Sequence, residues 1–234
     1  MIEVTNFDEL GTFENDWLDA HYHFSFAHYY DPRKMGLGPL RVWNDDKIRP
    51  HSGFDAHPHR DMEIITYVRK GAISHRDSLG NEGRTEAGDV QVMHAGTGIV
   101  HSEMNLEDEE TVLFQIWITP DKAGYAPGWE MRTFPKTAVT GALPALASGR
   151  DIHSDVPVLH QDAAVHGGRV DEGETVTHEL GAGRAAYLVV SEGAVEVNGT
   201  FVDTRGSASI RQEETLSIKA LEDSEVVLVD VPLS

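Results

Sequence analysis

The chain has 234 residues, enough for one large domain or two small ones. Its 39 acidic residues against 19 basic ones leave a formal charge of -20. That disfavours direct binding to a nucleic-acid backbone or an anionic membrane, since both rely on clustered Lys and Arg. Cysteine is absent, which excludes disulfides, thiolate zinc sites, iron–sulfur clusters and Cys nucleophiles, so any metal must be held by His, Asp or Glu.

The first ten residues, MIEVTNFDEL, show no basic region followed by an apolar one, which reads as no signal peptide and a cytoplasmic address. No apolar run approaches the roughly 20 residues needed to span a bilayer. A weak helix signal sits at Asp8-Glu9-Leu10, and the alternation from Tyr22 to Tyr30 predicts a strand. Further strands are predicted at LRVW (40–43), EIITYV (63–68), DVQVM (89–93) and TVLFQIWI (111–118). In the second half they are predicted at AAYLVV (185–190), AVEVNG (194–199) and EVVLVDV (225–231), with a turn of helix at DAAVHGG (162–168). Turn residues fall between them, as at Ala95-Gly96-Thr97-Gly98 and Asn198-Gly199. Many short strands at regular spacing predict an all-β chain of antiparallel barrels or sandwiches.

Residues 119–150, with Pro120, Pro127, Pro135 and Pro144, read as a connector, giving two β domains, 1–135 and 136–234. An internal repeat agrees: YVRKGAI (67–73) resembles YLVVSEGAV (187–195), and Gly88 to Val92 resembles Gly206 to Ile210. Aligning Gly71 with Gly193 sets His57 and His59 opposite Glu179 and Gly181. The second domain is therefore expected to lack metal ligands.

His57 and His59 are two apart, so on a strand both point to one face. His101 and Glu103 form a second such pair behind a Gly-rich turn that lets their strand fold back beside the first. Together they offer three neutral nitrogens and one carboxylate. That set suits one divalent Fe, Ni, Mn, Cu or Zn ion with open positions.

The strings YHFSFAHYYDP (22–32), GPLRVWNDD (38–46), HPHRDMEIITYV (57–68), the segment 88–105 and FQIWI (114–118) resemble the pirin family. The resemblance implies two cupin (jelly-roll-like) barrels in tandem, a metal held by His57, His59, His101 and Glu103, and iron as the leading ion. It also implies quercetin 2,3-dioxygenase activity, in which a flavonol reacts with O2 and releases carbon monoxide, with Glu103 as the catalytic base. Glu63 and His94 are expected just behind the ligands or in the pocket wall, and Phe54, Met93, Phe114 and Trp117 are candidate walls. The remaining histidines, His160, His166 and His178 among them, show no chelate spacing and read as structural. The competing reading is a pirin-type regulator that binds a protein partner according to the redox state of its metal.

Overall fold

The computed structural model describes residues 1–134 and 136–233. The first half carries β1 (Ile2–Thr5), β2 (Gly11–Glu14), β3 (Leu18–Tyr22), β4 (Leu40–Ile48), β5 (Ser52–His59), β6 (Glu63–Lys70), β7 (Ala72–Asp77), β8 (Glu82–Glu86), β9 (Val90–His94), β10 (Ile99–Asn105), β11 (Thr111–Ile118) and β12 (Gly128–Arg132). The second carries β13 (Ala145–Ser148), β14 (Ala164–Val170), β15 (Thr175–Glu179), β16 (Arg184–Glu192), β17 (Val195–Val197), β18 (Thr200–Val202), β19 (Ser207–Arg211), β20 (Thr215–Ala220) and β21 (Ser224–Pro232). Among the described residues the helical content is one 3-10 turn at Phe7–Glu9. Among the described residues no helix is long and apolar enough to cross a membrane.

Each half is a large sheet facing a four-stranded one. The first pairs β12-β9-β6-β11-β4-β3-β2 with β5-β10-β7-β8, and the second pairs β1-β19-β16-β21-β14-β13 with β15-β20-β17-β18. The Gly71/Gly193 part of the repeat read from sequence is structural, whereas the strand registers set Gly88 against Arg205 and not against Gly206. Gly71 and Gly193 turn with φ of +72° and +74°, and a Cβ on either would strike the same neighbour of the pattern, Thr111 in one half and Ser224 in the other. The two large sheets also gain matching edges: β12 pairs with β9, and β1 pairs with β19. The N-terminal strand therefore belongs to the second sheet, although it was expected within a domain 1–135. We propose the division between β12 and β13, crossed by β1; Pro135 itself lies outside the described residues.

Two predicted elements differ. After Tyr22 the chain leaves the sheet, turns at Ala27 (φ +50°), and folds Phe26 and Tyr29 back against Tyr22. Aromatic packing outweighs the alternation there. Residues 164–170 form strand β14 rather than a helical turn, because Gly167 and Gly168 lie under Leu146 and Val139 with no room for side chains.

Strand alternation sorts the large sheets into two faces. On β11, Phe114, Ile116 and Ile118 join Trp43, Ile65, Tyr67, Val90 and Val92 in a core shared with Tyr187, Val189, Val227 and Val229 of the second large sheet. The opposite face, with Leu113, Gln115 and Trp117, looks into the first barrel. This parity decides what can reach the site.

Candidate metal centre

β5 and β10 run antiparallel with His57 directly opposite His101, and their register slips between His101 and Glu103. At the slip the strands approach so closely that a Cβ on Gly53 would strike the Glu103 carbonyl oxygen. The nitrogens of His57, His59 and His101 lie within 4.8 Å of one another. The Nε2 atoms of His57 and His101 are 3.1 Å apart. Two cis ligands with bonds of about 2.1 Å sit about 3 Å apart, so this spacing fits a shared ion.

Of the three imidazoles, His57 is oriented by a hydrogen bond and His59 and His101 by ring packing, with His101 Nδ1 buried and unpartnered. His57 donates Nδ1–H to the Asp55 carbonyl at 2.7 Å, leaving Nε2 as a lone-pair donor. His59 meets the edge of Trp117. His101 lies 5.4 Å from His75, which stacks on Trp129 and bonds Asp77 at 3.0 Å. Burial, with the neighbouring imidazoles adding, pushes His59 down to about 4 and His101 down to about 3. Both are therefore neutral, as ligands must be.

Glu103 lines the same cavity but stands apart from the imidazole cluster. Its Oε1 accepts from the Thr66 hydroxyl (3.0 Å) and Gln91 Nε2 (2.6 Å), and its Oε2 from Gln115 Nε2 (2.7 Å). Asp46 also lines this cavity, with burial first and then Asp45 and Glu103 holding its carboxyl well above the usual range. The cavity is about 210 Å³ and is walled by Phe26, Phe54, Ile64 and Trp117. His59 also lines an outer hollow of about 380 Å³, with Arg60, Ser78 and Val100.

Of the candidate walls, Phe54 and Trp117 face the cavity. Met93 packs with Ala95 and Ile99, and Phe114 with the core between the barrels. Glu63 and His94 are likewise not behind the ligands. They share the parity of Ile65 and Val92, so they face the second half of the chain, where they meet His160. Sequence reasoning missed Thr66, Gln91 and Gln115; the one signal was a glutamine inside the apolar run TVLFQIWI. It also missed a buried cluster of His166, His178 and Asp230 in the second barrel, expected to hold no such donors. Arg184 and Arg150 each bond Asp230 at 2.6 Å, and His178 bonds it at 3.1 Å, so cations already saturate the carboxylate.

The pirin family profile matches residues 4–118, and that of the quercetinase C-terminal cupin domain matches residues 146–231. The chain belongs to the pirin family. Its two barrels are thus cupin domains. A Caulobacter vibrioides pirin-like protein is 54% identical, covering 98% of this chain and 99% of its own. An Escherichia coli protein named quercetin 2,3-dioxygenase is 42% identical over 99% of both chains. The bacterial pirin YhhW of E. coli, solved in complex with nickel(II), superposes with a TM-score of 0.93 at 40% identity over the full length of both chains. The three imidazoles of this chain are a candidate site for a divalent metal.

Proposed function

We propose that the protein is a metal-dependent dioxygenase that opens the heterocyclic ring of flavonols such as quercetin, consuming O2 and releasing carbon monoxide. The observation that carries this reading is the convergence of three imidazoles, two of them held neutral by burial, at a cavity that also contains a buried carboxylate. The names of the relatives point the same way. In this reading His57, His59, His101 and Glu103 hold one divalent ion, with iron favoured and nickel, manganese, copper or zinc acceptable to the same donors. The bound ion would supply Lewis-acid and redox chemistry at the flavonol 3-hydroxyl.

The protein's own part follows from the geometry. Glu103 takes the 3-hydroxyl proton at Oε2, which meets one donor where Oε1 meets two. Phe26, Phe54, Ile64 and Trp117 receive the flat apolar rings and exclude water. An inner cavity of about 210 Å³ is below the usual range for a ligand of this size, so the substrate extends past His59 into the outer hollow.

The test is aerobic loss of the quercetin absorption band with protein loaded in turn with Fe(II), Ni(II), Mn(II), Cu(II) and Zn(II). Catalytic loss with carbon monoxide release, reduced at least about 100-fold in Glu103→Gln, is the expected result. Stoichiometric metal binding without turnover by any loaded form would overturn the assignment in favour of a pirin-type redox-sensing protein binder.

A further inference from the structure

A second cluster lies between the two halves, on the opposite face of the large sheet from the three imidazoles. Glu63 of β6 and His94 of β9 are cross-strand partners. His160 reaches them from the segment preceding β14. The Glu63 side chain is 1% exposed. Its oxygens meet His94 Nδ1 at 2.6 Å, His160 Nδ1 at 3.3 Å and the His160 backbone N–H at 3.1 Å. Among the described residues its ion-pair partners are these two histidines, with no Lys or Arg. A buried carboxylate needs compensating partners, and the fold sets two imidazoles and one backbone N–H against this one.

We propose that Glu63, His94 and His160 form a second metal site, for a divalent first-row transition ion such as zinc. Two imidazoles and one carboxylate are a standard donor set for such ions. The three donor atoms lie within 4.8 Å of one another, as the three imidazole nitrogens of the first site do. The separations of 2.6 and 3.3 Å bracket the roughly 3 Å between cis ligands on bonds of about 2.1 Å. They also bracket the 3.1 Å between His57 and His101.

The cluster is set rigidly on one side and open on the other. His160 stacks on Tyr125 with ring centres 3.8 Å apart, and its carbonyl accepts from the Asp121 N–H at 2.8 Å. The His94 and His160 side chains keep 12% and 25% exposure, which gives an ion a path from solvent and leaves room for water ligands. The His166–His178–Asp230 cluster lacks this character, since two arginines already neutralise its carboxylate. An ion on Glu63, His94 and His160 would bond the segment before β14 to the first barrel. This inference does not rest on dioxygenase activity.

The test counts ions on the full chain. Metal-free protein is exposed to excess zinc, passed through gel filtration, and its zinc measured by mass spectrometry. The wild type should retain two ions per chain, and His94→Ala and His160→Ala one each. The double variant His57→Ala/His101→Ala should also retain one, lost when His160→Ala is added. His160→Gln, which keeps a polar side chain, should behave as His160→Ala. Cobalt(II) bound to the double variant should give visible bands that vanish with His160→Gln, a readout no folding defect of the first site can mimic. A single zinc in the wild type that disappears in the double variant overturns the proposal, as do two zincs that both survive His160→Ala. Failure to turn over quercetin while the His160-dependent ion remains would sink the proposed function alone.

Discussion

The carboxylate of Glu103 can stand inside a barrel because Thr66, Gln91 and Gln115 replace the water it loses. Through the strand registers these three positions correspond to Leu188, Ala208 and Leu228 of the second barrel, all fully buried in its apolar core. The second barrel thus carries apolar residues at the positions that support Glu103 in the first. Gln115→Leu imports the second barrel's residue. It strips Oε2 of its donor and should lower stability by about 1–3 kcal/mol, read from the urea midpoint. An unchanged midpoint would mean that water or another group already serves that oxygen. The same variant should lose quercetin turnover at Glu103, and its ion, still held by the three imidazoles but with Glu103 displaced, should bind more weakly in a metal titration.

At the scale of elements, the second large sheet recruits an edge strand, β1, from outside its own run of sequence. β1 closes the second sheet against β19, and the N-terminal amine bonds Glu213 at 2.7 Å. Removing residues 1–5 would leave the edge of β19 unpaired and uncover Ile2 and Val4 contacts on the second core. The expected result is a lower Tm together with concentration-dependent association in light scattering. A monomer of unchanged Tm would show that β1 is dispensable.

The sequence showed the central strands clearly. β11 and β21 are buried on both faces, so they appear as continuous apolar runs. β15 and β20 do alternate buried and exposed residues, but with only two or three buried positions each, among Thr, Ser, Glu and Lys, they stood out less than the continuous runs. The paired histidines and His101 were legible because spacing on a strand fixes direction. The same rule, applied to Glu63 beside Ile64, would have sent Glu63 away from the site. His160 had no local signal, since its partners are about a hundred residues away in sequence.

The whole molecule is held by the core between its two large sheets, where Trp43, Phe114 and Tyr187 meet. Asp45, fully buried, bonds Arg69 of the first half and Arg205 of the second, each at 2.7 Å. Phe114→Ala should cost about 3–5 kcal/mol in chemical denaturation, although the residue touches no ligand. A loss below about 1 kcal/mol would show that the interface refills the cavity.

The same core contains His23, whose Nδ1 lies 3.1 Å from the Tyr187 hydroxyl. Burial pushes His23 down to about 3. In the unfolded chain an ordinary histidine takes up its proton near pH 6.5. Between about pH 6.5 and 3 the unfolded state therefore holds a proton that the folded state refuses, and stability must fall as pH falls. The slope from this residue approaches about 1.4 kcal/mol per pH unit once the unfolded histidine is fully charged. His166 in the second barrel, also pushed by burial to about 3, adds in the same direction. Urea midpoints of metal-free protein across pH 7 to 4.5 should show this decline, and His23→Gln should flatten it by about one proton's worth. Parallel curves for the two proteins would mean that His23 is already protonated in the fold, against its full burial beside Trp43 and Tyr187.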